Sequence, residues 1–193
     1  MQLSLFGRAE PAFDGSFASA TRVELPGGAW LEHQPGWLSG SDALYLELAD
    51  TVDWKSERRV MYDREVDVPR LTAWFEPGTA PALLQRMAAA LGARHAVELD
   101  RISAAWYRDG SDSVAWHRDQ IGRDRPESIV AIVSLGEPRR FLVRPHQGGA
   151  SRAWSVGRGD LMVLGGTIQS LYDHSVPKAR GAGPRISLMF RHA

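Results

Sequence analysis

The chain has 193 residues, 44% hydrophobic and 24% charged, with 23 Lys+Arg against 23 Asp+Glu. That length predicts one domain with a proper core, and the absence of Cys excludes disulfides, thiolate metal sites and a Cys nucleophile. No apolar run is long enough for a bilayer and no secretory signal follows Met1, so a soluble, cytoplasmic protein with no membrane partner is expected.

Residues 1–40 are rich in Gly, Pro and Ser with scattered aromatics (Phe6, Phe13, Phe17, Trp30, Trp37), the composition of an irregular wrapping arm. Ala43 to Ala49 is a short helix candidate. A clearer helix is predicted from Thr79 to Leu91: Thr79 caps it, Pro81 fits the first turn and Gly92 stops it. Leu83, Leu84, Met87 and Leu91 give that helix one apolar face. From Val97 onward the pattern becomes short strands divided by Gly, Pro and Asp: 97–107, 114–117, 128–135, 140–143, 160–164 and 185–190. Such spacing without intervening helices points to a sandwich or jelly roll. The expected class is α+β, with a helical and irregular N-terminal extension over 1–95 and a β-rich catalytic core over 96–193.

The zero net charge hides an asymmetry. Residues 1–100 hold 15 acidic and 9 basic side chains, whereas 101–193 hold 8 and 14. All basic residues except Lys55 and Lys178 are Arg, which suits carboxylate and phosphate recognition.

His117 and Asp119 form an H-x-D pair on a predicted strand, where residues i and i+2 share a face and reach one ion. His174 follows 55 residues later. Two imidazoles and one carboxylate make the facial triad of non-haem Fe(II) oxygenases, with coordination positions left for a cosubstrate and O2. In the last strand Arg185, Ser187, Met189 and Arg191 share one face, and Ile186, Leu188 and Phe190 the other. Two Arg on one face suit a dicarboxylate. On a straight strand they stand roughly 20 Å apart, so they grip different groups or the strand curves.

Taken together, these pieces resemble the AlkB-like family of Fe(II)/2-oxoglutarate-dependent dioxygenases. The resemblance runs from Arg58 to Arg191: Met61-Tyr62-Asp63 with Pro69-Arg70, Tyr107-Arg108-Asp109-Gly110, Trp116-His117-Arg118-Asp119, Ser134-Leu135-Gly136 with Arg140-Phe141, Gly159-Asp160-Leu161, Gln169, His174 with Val176-Pro177, and Arg185 to Arg191. It implies a double-stranded β-helix (jelly-roll) core and oxidative removal of N-alkyl groups from nucleobases in DNA, releasing aldehyde, succinate and CO2. By that resemblance His117, Asp119 and His174 bind Fe(II), while Tyr107, Arg185, Ser187 and Arg191 stand where 2-oxoglutarate is held. The chain departs from the pattern at Ala105 and Ser187, where the family usually has Asn, at Met189, usually Thr, and at Gln120-Ile121-Gly122, usually acidic. Two alternatives share these residues: the same chemistry on RNA, a nucleotide or a protein, and a catalytically silent jelly-roll binding domain.

A base inside a duplex cannot reach a buried metal and must be flipped or presented single-stranded. Tyr62 and either Trp74 or Phe75 are the stacking candidates, alternation allowing only one of the latter pair to face a pocket. Trp116 and Arg118 flank the first ligand, and Arg58, Arg59, Arg64, Arg123 and Arg125 are further phosphate candidates. Finally, Gln2, Leu3, Leu5 and Phe6 resemble the pentapeptide with which bacterial repair proteins dock on the replicative sliding clamp, a second expected partner.

Overall fold

The computed structural model describes residues 9–61, 64–119 and 127–192, the side chains of 57–61 and 64–67 excepted. Its main feature is an antiparallel sheet ordered β2-β3-β12-β9-β14-β7-β6-β5. These strands are β2 (Thr21–Leu25), β3 (Ala29–Gln34), β5 (Lys55–Met61), β6 (Arg64–Phe75), β7 (Arg101–Tyr107), β9 (Val130–Gly136), β12 (Asp160–Gly166) and β14 (Arg185–Arg191). A smaller sheet, ordered β11-β10-β13-β8, consists of β8 (Val114–His117), β10 (Arg139–Pro145), β11 (Arg152–Val156) and β13 (Tyr172–Val176). Short β1 (Ala12–Phe13) and β4 (Leu38–Ser39) pair with each other. Three helices complete the order: α1 (Ser41–Thr51), α2 (Ala82–His95) and the single turn α3 (Ile168–Leu171).

The alternation in β14 explains how the layers assemble. Ile186, Leu188 and Phe190 are fully buried on the face that packs with Leu44, Leu48, Leu84, Met87 and Leu91 of α1 and α2. Each such side chain contributes about 1.5–3 kcal/mol by leaving water. The opposite face, with Ala105 and Tyr107 of β7 and Ile132 of β9, meets Phe141, Val143 and Val176 of the smaller sheet in a second core. The candidate site lies in this space between the sheets, as the parity of β14 predicts.

Several local expectations are corrected. Residues 9–40 are no irregular arm: β2 and β3 extend the large sheet, with β3 paired along β12. The helix α2 runs through Gly92 to His95 and ends at Ala96, which takes the left-handed conformation. Gly92 is retained for packing, since a Cβ there would sit 2.6 Å from Val97 O. Thr79 does not cap α2; its hydroxyl donates to Glu76 O in the preceding turn. Among the described residues no helix is long and apolar enough to cross a membrane.

Candidate metal and cosubstrate site

His117 and His174 are direct partners across the β8–β13 pair, which brings their ring centroids to 4.2 Å. Asp119 follows β8 by two residues. One ligating atom from each of His117, Asp119 and His174 lies within 4.8 Å of the others, a spacing that fits a single metal ion. His117 Nδ1 lies 2.8 Å from Ala115 O; the N–H donates there and leaves Nε2 for the site. His174 stacks on Phe141 with centroids 5.5 Å apart. Burial pushes its imidazole down to about 4, so it is neutral at ordinary pH, the form that donates a lone pair.

Asp119 is held from two sides. Its backbone N–H donates to Gln169 Oε1 at 2.9 Å, and Arg191 donates to its Oδ1 at 3.2 Å. Burial would raise the carboxyl, but Arg191 and the two imidazoles hold it below the usual range. Arg191 also donates to Ser103 Oγ at 2.9 Å and to the thioether of Met189 at 3.3 Å. The donor set is therefore two imidazoles and one ionised carboxylate, pre-aligned as a divalent iron site requires.

At the other end of β14, Arg185 is 1% exposed. It donates to Ser134 Oγ at 2.7 Å and to Ser187 Oγ at 3.4 Å, and its Cζ lies 5.2 Å from the centre of the Tyr107 ring. Its Nε and second Nη are buried with no hydrogen-bond partner among the described residues. A buried cation with two unpaired N–H groups suits a carboxylate, which accepts two parallel bonds from a guanidinium. The residues present thus fit both groups that the facial triad implies, a metal and an anionic chelator. Arg185 and Arg191 do face the same space and do engage different groups.

Two of the departures meet here. Ser187 lies opposite Ala105 on one side and Ser134 on the other. Ser134 supplies the short hydrogen bond to Arg185 that Ala105, lacking a polar atom, does not. Gln169 and Ser134 were visible only as members of motifs, because a polar residue on an apolar strand or turn carries no role until its partner is known. Arg139, not Arg140, turns inward, since it shares parity with Phe141 and Val143.

The substrate candidates separate. Trp74 pairs with Ser103 and shares its site-side face, where it is 67% exposed. Phe75 pairs with Ile102 and packs against the core on the opposite face, so it does not line the site with Trp74. Trp116 alternates with His117 and turns to the outer face of the smaller sheet, where Arg144 Cζ stacks 4.1 Å from its ring centre. Arg118 is on that side too, with its Nε 3.6 Å from Asp173 and a hydrogen bond to Ser170 O. Arg144 and His146 approach the same Asp173 carboxylate. Gln2, Leu3, Leu5, Phe6, Tyr62, Gln120-Ile121-Gly122, Arg123 and Arg125 lie outside the described residues, as do the side chains of Arg58, Arg59 and Arg64.

A jelly roll with two imidazoles and a carboxylate at one mouth, beside a buried arginine, defines a non-haem iron dioxygenase. The model of the 2OG-Fe(II) oxygenase superfamily matches residues 34–191, and the chain belongs to that superfamily. Within it the chain is AlkB-like. It is 28% identical over 187 residues to the alpha-ketoglutarate-dependent dioxygenase alkB homolog 3 of Bos taurus, a match covering 81% of this chain and 64% of that protein, so less than two thirds of the relative is represented. Over 109 residues it is 31% identical to the DNA oxidative demethylase ALKBH2 of Arabidopsis thaliana, covering 44% of this chain and 35% of the relative. The solved structure of OsALKBH1 shares the fold with a TM-score of 0.65 at 14% identity, covering 90% of this chain and all of that one. A Pseudomonas putida prolyl-4-hydroxylase does so with a TM-score of 0.57 at 19% identity, covering 84% and 92%.

Proposed function

We propose that this protein removes N-alkyl groups from nucleobases in DNA by Fe(II)- and 2-oxoglutarate-dependent oxidation. The observation that carries the reading is the pairing of the His117–Asp119–His174 cluster with the two unpaired N–H groups of buried Arg185. Bound iron and 2-oxoglutarate supply dioxygen activation coupled to decarboxylation to succinate. The chain's own residues do the rest. His117, steered by Ala115 O, and His174, braced by Phe141, present ring nitrogens. Gln169 and Arg191 fix the Asp119 carboxylate. Arg185, with Ser134 and Ser187, takes the distal carboxylate of the cosubstrate, and Tyr107 walls it. Ala105, Ile132 and Met189 keep the adjoining space apolar, which limits water access. Once hydroxylated, the N-alkyl carbon departs as an aldehyde.

The choice of a nucleic acid rests on the relatives' names and on two surface features. Trp74 offers an exposed aromatic face on the site side, suited to stacking an extruded base. Arg118, Arg144 and His146 gather around the single carboxylate of Asp173 on the neighbouring surface, a net positive patch suited to a phosphate backbone. A mass-shift assay across methylated single- and double-stranded DNA and RNA, with succinate measured in parallel, tests the reading. Succinate formation without loss of the alkyl group from any oligonucleotide would refute the substrate class. The Gln2–Phe6 sequence supports the sliding clamp as a second partner; deleting residues 1–6 should abolish clamp binding, and unchanged affinity would end that idea.

A further inference from the structure

Arg139 opens β10 and is 2% exposed, yet it takes no part in the chemistry above. Its Nη atoms donate to three backbone carbonyls: Asp109 O at 3.0 Å, Asp112 O at 2.8 Å and Pro177 O at 2.8 Å. Asp109 follows β7, Asp112 precedes β8, and Pro177 follows β13. One side chain thereby ties the ends of the strands that carry Tyr107, His117 and His174. The turn is tight at this point: a Cβ on Gly110 would lie 1.8 Å from Ala179 O, so the β13–β14 connection presses directly on the end of β7.

Bracing alone does not account for a cation. Carbonyl dipoles satisfy N–H groups without cancelling a formal charge; the Asp109 and Asp112 carboxylates act on Arg139 from nearby but are bonded to Ser111 and Arg108, and neither forms a salt bridge with Arg139 among the described residues. Its Nε is buried and unpartnered. Its Cζ lies 5.7 Å from the centre of the Tyr107 ring, while that of Arg185 lies 5.2 Å from the same centre. Two buried guanidiniums therefore lie near one phenol. The Arg139 charge acts on Arg185; like charges in a poorly solvated space repel, and the repulsion is relieved when an anion shares their field. Of the two, Arg185 has N–H groups free to touch that anion. Arg139, bonded to carbonyls at both Nη atoms, acts through charge and through the frame.

We propose that Arg139 is a positioning residue for the cosubstrate, and that its buried charge makes the pocket select a 2-oxo acid carrying a second, distal carboxylate. The inference rests on the reading of Arg185 as the cosubstrate anchor. It separates from that reading by comparing two ligands: 2-oxoglutarate and 2-oxopentanoate, which has the same chain without the distal carboxylate. Equilibrium binding of each is measured calorimetrically to Mn(II)-loaded protein without oxygen, in wild type, Arg139→Gln and Arg139→Lys.

Wild type should prefer 2-oxoglutarate. Arg139→Gln keeps donors for the carbonyls but removes the charge, and should narrow that preference by about tenfold. Arg139→Lys keeps the charge and should hold the preference within about threefold, even where its melting temperature falls because one ammonium replaces a three-carbonyl fork. A purely structural Arg139 would weaken both ligands alike and leave the ratio untouched. That result in Arg139→Gln, or a ratio collapsed in Arg139→Lys, overturns the inference. If Arg139→Gln does not fold, Arg139→Met, which keeps the apolar stem and removes the charge, is read in the same terms: a narrowed ratio supports the inference and an unchanged one overturns it. Wild type that binds neither 2-oxo acid would overturn the underlying cosubstrate reading instead.

Discussion

Replacing Arg185 by Met should move affinity and stability in opposite directions. The guanidinium is 1% exposed, hydrogen-bonded to two serine hydroxyls, and has Nε and one Nη unpartnered. With 2-oxoglutarate bound, those two N–H groups donate to its distal carboxylate. Hydrogen bonds to a charged group contribute about 1.5–3 kcal/mol each, so losing both weakens binding roughly a hundredfold to ten-thousandfold. Without cosubstrate the same residue is a buried charge with no salt-bridge partner among the described residues, and the charge of Arg139 acts on it. A methionine of similar length fills the space and removes the desolvation penalty, which stabilises by about 1–4 kcal/mol where buried ions give way to apolar packing. Against this stands about 1 kcal/mol for the lost bond to Ser134 Oγ. Calorimetric titration of the Mn(II)-loaded, oxygen-free protein measures the first effect, and thermal unfolding without cosubstrate the second. The expected result is lost binding with an unchanged or raised melting temperature. An Arg185→Met protein that binds 2-oxoglutarate as wild type does would refute the assignment. One that melts several degrees lower would refute the view of Arg185 as an unneutralised charge.

Other outcomes follow from other parts of the molecule. Trp74 is 67% exposed, so Trp74→Ala should alter stability by less than about 0.5 kcal/mol, while weakening a methylated single strand about 5- to 100-fold through lost stacking; electrophoretic or anisotropy titration reads this. Glu32 is buried and accepts a bidentate pair from Arg94, at 3.0 and 2.8 Å. Arg94→Ala strands that carboxylate and should cost about 3–5 kcal/mol, seen in denaturant unfolding. His95 stacks on Trp30 beside that pair, and burial lowers its pKa from the usual 6.5. The unfolded chain therefore takes up this proton first, so the contribution is intact above about pH 6.5 and lost as pH falls through the window below it. His95→Gln should flatten that part of the stability profile.

The sequence made the metal cluster legible because its geometry is local. His117 and Asp119 are two residues apart, and β8 spans Val114–His117 as the pattern predicts. The parity of β14 likewise follows from alternation alone. Other features depend on partners far along the chain. β13 has Asp173, His174 and Ser175 at buried positions, so its hydrophobic pattern is broken by the very residues that serve the site and its rim. β2 and β3 are short and flanked by Gly and Pro, and only pairing with β12 makes them part of the large sheet. Alternation also sets Trp116 and His117, neighbours on β8, on opposite faces. The roles of Ser134, Gln169 and Arg139 depended on what stands across from them, which no single-chain pattern encodes.

The most direct measurement couples cosubstrate consumption to the fate of the alkyl group. Purified protein, Fe(II), 2-oxoglutarate and a methylated single-stranded DNA oligonucleotide should yield succinate and formaldehyde in equal amounts, with the oligonucleotide returned to its unmethylated mass. His174→Ala should abolish all three. Succinate and formaldehyde at wild-type rates in His174→Ala, or an unchanged oligonucleotide with the intact protein, would contradict the account.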